Sequence, residues 1–272
     1  MLDAFGLRIG VRSDSPALLR RAAARWTATG ARLVTAAEAG APDVLVAGLL
    51  SLHTGARDVT AGARPPMTLY DGAARIVRTA DREELLEALD ATLRMGIAHA
   101  SPTHLLVHAG VVGYRGQAIV LPGSSHAGKT TLVRALLARG ATYLSDDVAV
   151  VDGDGRVLPF ARPLAVRDRA HAPQRPVPAE SLGARVGAEP LRAGLVAITR
   201  WRDGATWRPR AVAGGAAALA LIPHVGGMQK RPEHALGLLG RLLDGATVLR
   251  GPRGEADACA RALLGAVDAR TA

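Results

Sequence analysis

Residues 117–140 read QAIVLPGSSHAGKTTLVRALLARG, and inside them Gly123-Ser124-Ser125-His126-Ala127-Gly128-Lys129-Thr130 fits G-x-x-x-x-G-K-[ST], the pattern of a phosphate-binding loop. The residue types explain what such a loop would do. Successive backbone N–H groups at a glycine-rich turn, followed by a helix N-terminus, aim partial positive charge at one point. Lys129 adds a full charge for the β- and γ-phosphates of a nucleoside triphosphate. The Thr130 hydroxyl, followed by Thr131, is placed to ligate Mg²⁺. Of the 34 basic residues only Lys129 and Lys230 are lysine. A chain that otherwise uses arginine thus keeps a compact ammonium at the one place where a planar guanidinium would not fit between phosphates.

A second group of residues lies where a Mg–nucleotide site needs it. Asp146-Asp147 follows Ala141-Thr142-Tyr143-Leu144-Ser145, a strand pattern that comes directly after the helix behind the loop. One carboxylate can hold the metal, directly or through water, while the other takes a proton from an incoming hydroxyl. His108 stands in an otherwise apolar strand, THLLVHAGVVG over 103–113. A lone histidine in such a strand is more often structural than functional.

Around these residues the pattern predicts the elements that hold them. The runs 103–113 and 117–121 form a hairpin turning at Tyr114-Arg115-Gly116 and deliver the chain into the loop. Thr131 to Arg139 is helical and Gly140 stops it. VAVVDGDGRVLPF reads as a hairpin with Asp-Gly turns, and 160–193, rich in Arg and Pro, as an irregular loop. Leu195–Thr199 pairs with Ala205–Trp207 around Arg202-Asp203-Gly204, a helix opens at Pro232, and a last helix spans roughly 255–269. Upstream, Leu7–Val11, Val44–Ala47 and Ala74–Val77 are strand candidates. Ser15 caps a helix running through Arg25, and Asp81 caps an amphipathic one. Asp3, Asp43, His53 and Asp58 are isolated there and read as solvated or turn residues. The expected organisation is a small N-terminal α/β domain over 1–98 and a nucleotide-binding domain over 99–272.

Composition narrows the function classes. At 49% hydrophobic and 21% charged the chain has the make-up of a globular protein with a real core. The net charge of +10 invites a nucleic-acid partner, but the arginines are scattered, without a dense run or aromatic interleaving, so nucleic acid is not expected. Cys259, the one cysteine, excludes an internal disulfide and reads as a buried small hydrophobe. The N-terminus lacks a signal-peptide pattern and no run approaches 18 apolar residues, so a cytoplasmic protein without a membrane partner is expected. Lys230-Arg231, in the loop before Pro232, reads as a solvated pair.

With the loop, the Asp pair and the histidine together, the chain resembles the HPr kinase/phosphorylase family, particularly its shorter HPr-kinase-related serine kinases, including those of peptide-natural-product pathways. The residues that carry the resemblance are His108-Ala109-Gly110, GSSHAGKT, RGATYLSDD and the later PHVGG…PEHALGLLGRLLDGATVLR, over about residues 100–250. It implies an α/β fold with a P-loop core like that of phosphoenolpyruvate carboxykinase and a variable N-terminal domain. It implies ATP and Mg²⁺ as cofactors and phosphoryl transfer to a hydroxyl, often a serine. By motif, Lys129 and Thr130 hold phosphate and metal, one of Asp146 and Asp147 is the base and the other helps the metal, and His108 stands beside them in a catalytic role. Asp146 is favoured as base and Asp147 as metal-side, the reverse order remaining open. The related HPr kinases assemble as hexamers, so a homo-oligomer is also implied.

Two departures bear on the acceptor. Ser125-His126 replaces the family's Ser-Gly pair, and the Arg-Gly-x-Gly signature tied to HPr recognition and phosphorolysis has no counterpart. The expected acceptor is therefore a hydroxyl of another peptide or protein, such as a natural-product precursor. A small-molecule hydroxyl is the alternative, and a non-catalytic ATP-sensing module the second.

Overall fold

The computed structural model describes residues 1–27, 29, 31–33, 45–54, 65–124, 127–167 and 174–271. The chain divides into two compact units, Met1–Thr103 and His104–Ala272. Both are mixed α/β.

The first unit runs β1 (Leu2–Ala4), β2 (Leu7–Ser13), α1 (Pro16–Thr27), β3 (Arg32–Leu33), β4 (Leu45–Thr54), β5 (Met67–Asp71), β6 (Ala74–Thr79) and α2 (Arg82–Ala100). Its strands form one sheet in the order β3-β1-β2-β4-β5-β6. Local signals set the helix starts. Leu18 N donates to Ser15 Oγ at 3.3 Å, and Glu83 N donates to Asp81 Oδ1 at 2.8 Å, satisfying amides that a first turn leaves open. The helices then bury Leu18 and Trp26 on α1, and Leu85, Leu89, Leu93 and Ile97 on α2. β4 extends to Thr54, well past the four residues expected, because it pairs with β2 on one side and β5 on the other. Asp43, Asp58 and Val44 lie outside the described residues.

The second unit holds β7 (Leu105–Tyr114), β8 (Gln117–Pro122), α3 (Lys129–Leu137), β9 (Thr142–Ser145), β10 (Val148–Val151), β11 (Arg156–Leu158), β12 (Leu164–Val166), β13 (Arg175–Val177), β14 (Leu191–Trp201), β15 (Arg210–Ala211), α4 (Gly214–Leu221), α5 (Pro232–Leu243), β16 (Thr247–Arg253) and α6 (Ala256–Thr271). Its main sheet runs β11-β10-β7-β8-β14-β16-β15, with β9 on β7 and a further pairing of β11 with β14. β8, β14 and β16 are mutually parallel, so their carboxyl ends share one edge. Alternation then sorts two cores. Ile119, Leu121, Leu195 and Ala197 pack with α3 and α6, and Val120, Val196 and Val248 pack with α4 and α5.

The hairpin into the loop, the strand before Asp146-Asp147, the β10–β11 hairpin and α5 and α6 lie where the pattern places them. Three segments differ. Within 160–193, β12 and β13 pair with each other and a 3-10 turn covers Ala179–Leu182, because Leu164, Val166, Val177 and Ala179 enter the α3–α6 core. Ala205–Trp207 is not a strand: β14 pairs with β8 and β16, and β16's outer neighbour is instead β15. α4 and β16, both absent from the expectation, complete the far side of the sheet. Among the described residues no helix is long and apolar enough to cross a membrane.

Candidate functional site

The candidate site forms where β7 lies between the end of β8 and the β9–β10 junction. Gly123 N donates to His108 O at 3.2 Å, and Ala109 N donates to Asp147 O at 3.0 Å. These two bonds tie the start of the loop and the acidic pair to adjacent residues of one strand. Gly110 completes the approach: a Cβ there would stand 2.7 Å from Val133 Cγ2 of α3. The missing side chain lets the helix, and Lys129 at its start, settle onto the strand that carries His108.

Gly128 turns the chain into α3 with φ +78°, a left-handed conformation that favours glycine, and its carbonyl accepts from Leu132 N at 3.1 Å. Lys129 Nζ donates to Gly123 O at 2.9 Å and to Ser124 O at 3.0 Å, and lies 2.9 Å from His108 Nε2. An ammonium has three protons and accepts none, so His108 Nε2 is the acceptor of the third. His108 Nδ1, 3.2 Å from Asp147 Oδ1, then carries the ring proton and donates it to that carboxylate. Burial holds the Lys129 pKa below its ordinary value, with Asp147 and Asp146 pulling the other way.

Asp146 has a different set of partners. Its Oδ2 accepts from Thr130 Oγ1 and from Ala165 N, each at 3.1 Å, and only 5% of the residue is exposed. Burial pushes its pKa up and outweighs the two hydrogen bonds that stabilise the charged form. The hydroxyl of Thr130 and the Asp146 carboxylate are the hard oxygens that Mg²⁺ takes, and that ion draws its other ligands from phosphate and water. The donor set fits the metal.

The expected site residues therefore fall into two pairs, Thr130 with Asp146 and His108 with Asp147, joined through Lys129 and the loop. This pairing differs from the favoured sequence order, in which Asp147 stood on the metal side. Asp146 is buried against the threonine, whereas the Asp147 side chain remains 40% exposed beside His108. Gly123, Ser124, Ala127 and Gly128 are the described part of the loop, with Ala127 N donating to Ser124 O at 3.2 Å. Ser125 and His126 lie outside the described residues. Thr131 is exposed on the first turn of α3.

Two residues that the sequence reading gave no role also lie at the site. His224 ends a 3-10 turn whose neighbour Val225 bridges to Val107, and Gly226 N donates to Leu106 O at 2.8 Å. Burial, then the nearby His108 and Lys129, lower the His224 pKa. Its sequence signal was the PHVGG run over 223–227, which carried part of the family resemblance but gave the histidine no role. Arg253, 2% exposed at the end of β16, donates from Nη2 to Gly128 O at 2.9 Å and from Nη1 to Gly254 O at 2.9 Å. A side chain at Gly128 would collide with the Arg253 Nη2. The arginine thus braces the turn before Lys129, across 125 residues of sequence.

No protein-family model and no curated protein matches the chain. Among solved structures it is similar to the HPr(Ser) kinase/phosphatase from Coxiella burnetii, with 14% identity, a TM-score of 0.30, and coverage of 61% of this chain and 97% of that one.

Proposed function

We propose that this protein is an ATP- and Mg²⁺-dependent kinase that transfers the γ-phosphoryl group to a hydroxyl, a serine of a peptide or protein, on an HPr-kinase-like α/β core. The observation that carries the reading is the convergence of Lys129, the His108–Asp147 pair and the Thr130–Asp146 pair at one loop. Nucleotide binding alone would not require a second, partly exposed carboxylate oriented by a histidine.

Bound Mg–ATP would supply the phosphoryl group and neutralise charge on its oxygens. Thr130 and Asp146 would hold the metal side. Lys129 would exchange its carbonyl partners for phosphate oxygens, and the N-terminus of α3 that opens at Lys129 would face the same charge. Asp147 would accept the acceptor hydroxyl's proton as the new P–O bond forms and the bond to the ADP oxygen breaks. His108 holds that carboxylate in place through its Nδ1–H. In this reading the roles of the two aspartates are the reverse of the order favoured from sequence.

The roles separate in substitutions. Lys129→Ala is expected to lose ATP binding. Asp147→Asn is expected to keep it while transfer falls by about a hundredfold or more, the usual worth of a general base. Asp146→Asn should weaken the Mg²⁺ dependence of binding instead. Isothermal titration with Mg–ATP, together with mass spectrometry of candidate acceptor peptides, reads both. Full transfer by Asp147→Asn would remove that residue from the base role.

A further inference from the structure

The arginines scattered through residues 200–250 gather in one place. A cleft of about 400 Å³ at the β14–β16–β15 end of the sheet is lined by Arg200, Arg202, Arg208, Arg210 and Arg250, over a floor that includes Ile198. The strand register explains the gathering. Arg250 on β16 faces Ile198 on β14 and Arg210 on β15, while Arg200 faces Pro252 one step further along. Residues opposite each other, or two apart on one strand, point to the same face. Ile198 packs with the α4–α5 core, so Arg200, Arg210 and Arg250 project from that face of the sheet. All five arginines are exposed, and among the described residues none is paired with a carboxylate and no acidic side chain lines the cleft.

Unpaired guanidinium groups lining one cleft repel one another, and a bound anion would relieve that repulsion. The cleft is also wired to the candidate site. Arg202 N donates to Arg253 O at 2.9 Å, and Arg253 Nη2 donates to Gly128 O at 2.9 Å. Two hydrogen bonds therefore separate the cleft from the phosphate loop, along the edge made by the carboxyl ends of β8, β14 and β16.

We infer that this cleft is the subsite for an acidic peptide segment of the phosphoryl acceptor. The guanidinium fork matches carboxylates two bonds at a time. The arginines are spread over three strands, roughly 10 Å across at ordinary strand spacing, which is wider than one small anion. An extended peptide presents same-side carboxylates about 7 Å apart and can engage several of these arginines together. No aromatic side chain lines the cleft, so it offers no base-stacking platform for a nucleic acid. The nucleotide's own phosphates are provided for at Lys129. The role as an acceptor subsite rests on the kinase reading; the binding of an acidic peptide does not.

The test uses the full chain and a fluorescein-labelled, glutamate-rich peptide containing one serine, followed by fluorescence anisotropy. The wild type is expected to bind it in a salt-sensitive manner, and Arg200→Gln/Arg250→Gln to bind it about tenfold or more weakly with Mg–ATP affinity unchanged. Lys129→Ala should show the opposite pattern, losing nucleotide and keeping peptide. Equal peptide binding by wild type and the double arginine variant, or none by either, overturns the inference. Pyrophosphate competing as tightly as the peptide would make the cleft a small-anion site. A single-stranded oligonucleotide bound more tightly through the same arginines would make it a nucleic-acid site. Either result overturns the peptide assignment. Arginine-dependent peptide binding without phosphate transfer to its serine would retain the subsite and remove the kinase reading.

Discussion

Asp146 and Asp147 are neighbours in sequence and opposites in environment. Asp146 is enclosed by Thr130 and the Ala165 amide, and desolvation raises its pKa; Asp147 is partly open and turned toward His108. The sign of the consequence follows. A carboxyl whose folded pKa is raised favours folding while protonated, and that contribution is lost as pH rises through the raised value. Metal binding runs the other way, because only the ionised carboxylate holds Mg²⁺. Mg²⁺-dependent nucleotide affinity is therefore expected to fall on acidification at a higher pH than an ordinary aspartate would give. Titrations across pH should show the fall in wild type and a flattened profile in Asp146→Asn.

The elements that hold these residues depend on close approach. α3 lies against β7 because Gly110 leaves room for Val133. Gly110→Ala is expected to cost about 1–3 kcal/mol by overpacking and to weaken ATP binding by displacing the helix that begins at Lys129. Urea unfolding reads the first effect, and partial recovery in Gly110→Ala/Val133→Ala would identify that contact as the cause. In the first unit, α1 and α2 are joined by a buried polar contact. Asp90, 1% exposed, accepts from Trp26 Nε1 at 2.8 Å and from Arg25 Nη1 at 2.9 Å. Burial still holds its pKa above the ordinary carboxylate range, so the contact orients the two helices more than it stabilises them. Removing it is nonetheless costly, since Trp26 and Arg25 lose a shared partner. Asp90→Ala is expected to lose about 2–3 kcal/mol in the same unfolding assay, and Asp90→Asn less.

Over the whole molecule, the candidate site belongs entirely to the unit His104–Ala272. Mg–ATP at about one hundred times its Kd should stabilise the unit that binds it by about 2.7 kcal/mol. Hydrogen exchange of the intact chain is expected to show that protection in residues 104–272, centred on β7, β8 and α3, and not in Met1–Thr103. Lys129→Ala should abolish it. Protection that spread evenly through both units would contradict this assignment.

Much of the site was legible because its signals are local. A glycine at positive φ, a lysine after it and a threonine opening a helix are close in sequence, whereas His108 was tied to the Asp pair only by the family resemblance and is brought beside it by the antiparallel pairing of β10 with β7. Caps at Ser15 and Asp81 were equally readable, since a side chain bonds an amide two or three residues on. Partners far apart in the chain were not readable in this way. Arg253 reaches Gly128 only through the parallel pairing of β16 with β14 and of β14 with β8. The five cleft arginines looked scattered because strand register, not sequence spacing, brings them side by side. The different surroundings of Asp146 and Asp147 were set in the same way. Successive side chains leave the backbone in different directions, and only the packed neighbours, Thr130 for one and His108 for the other, give two identical carboxylates different chemistry.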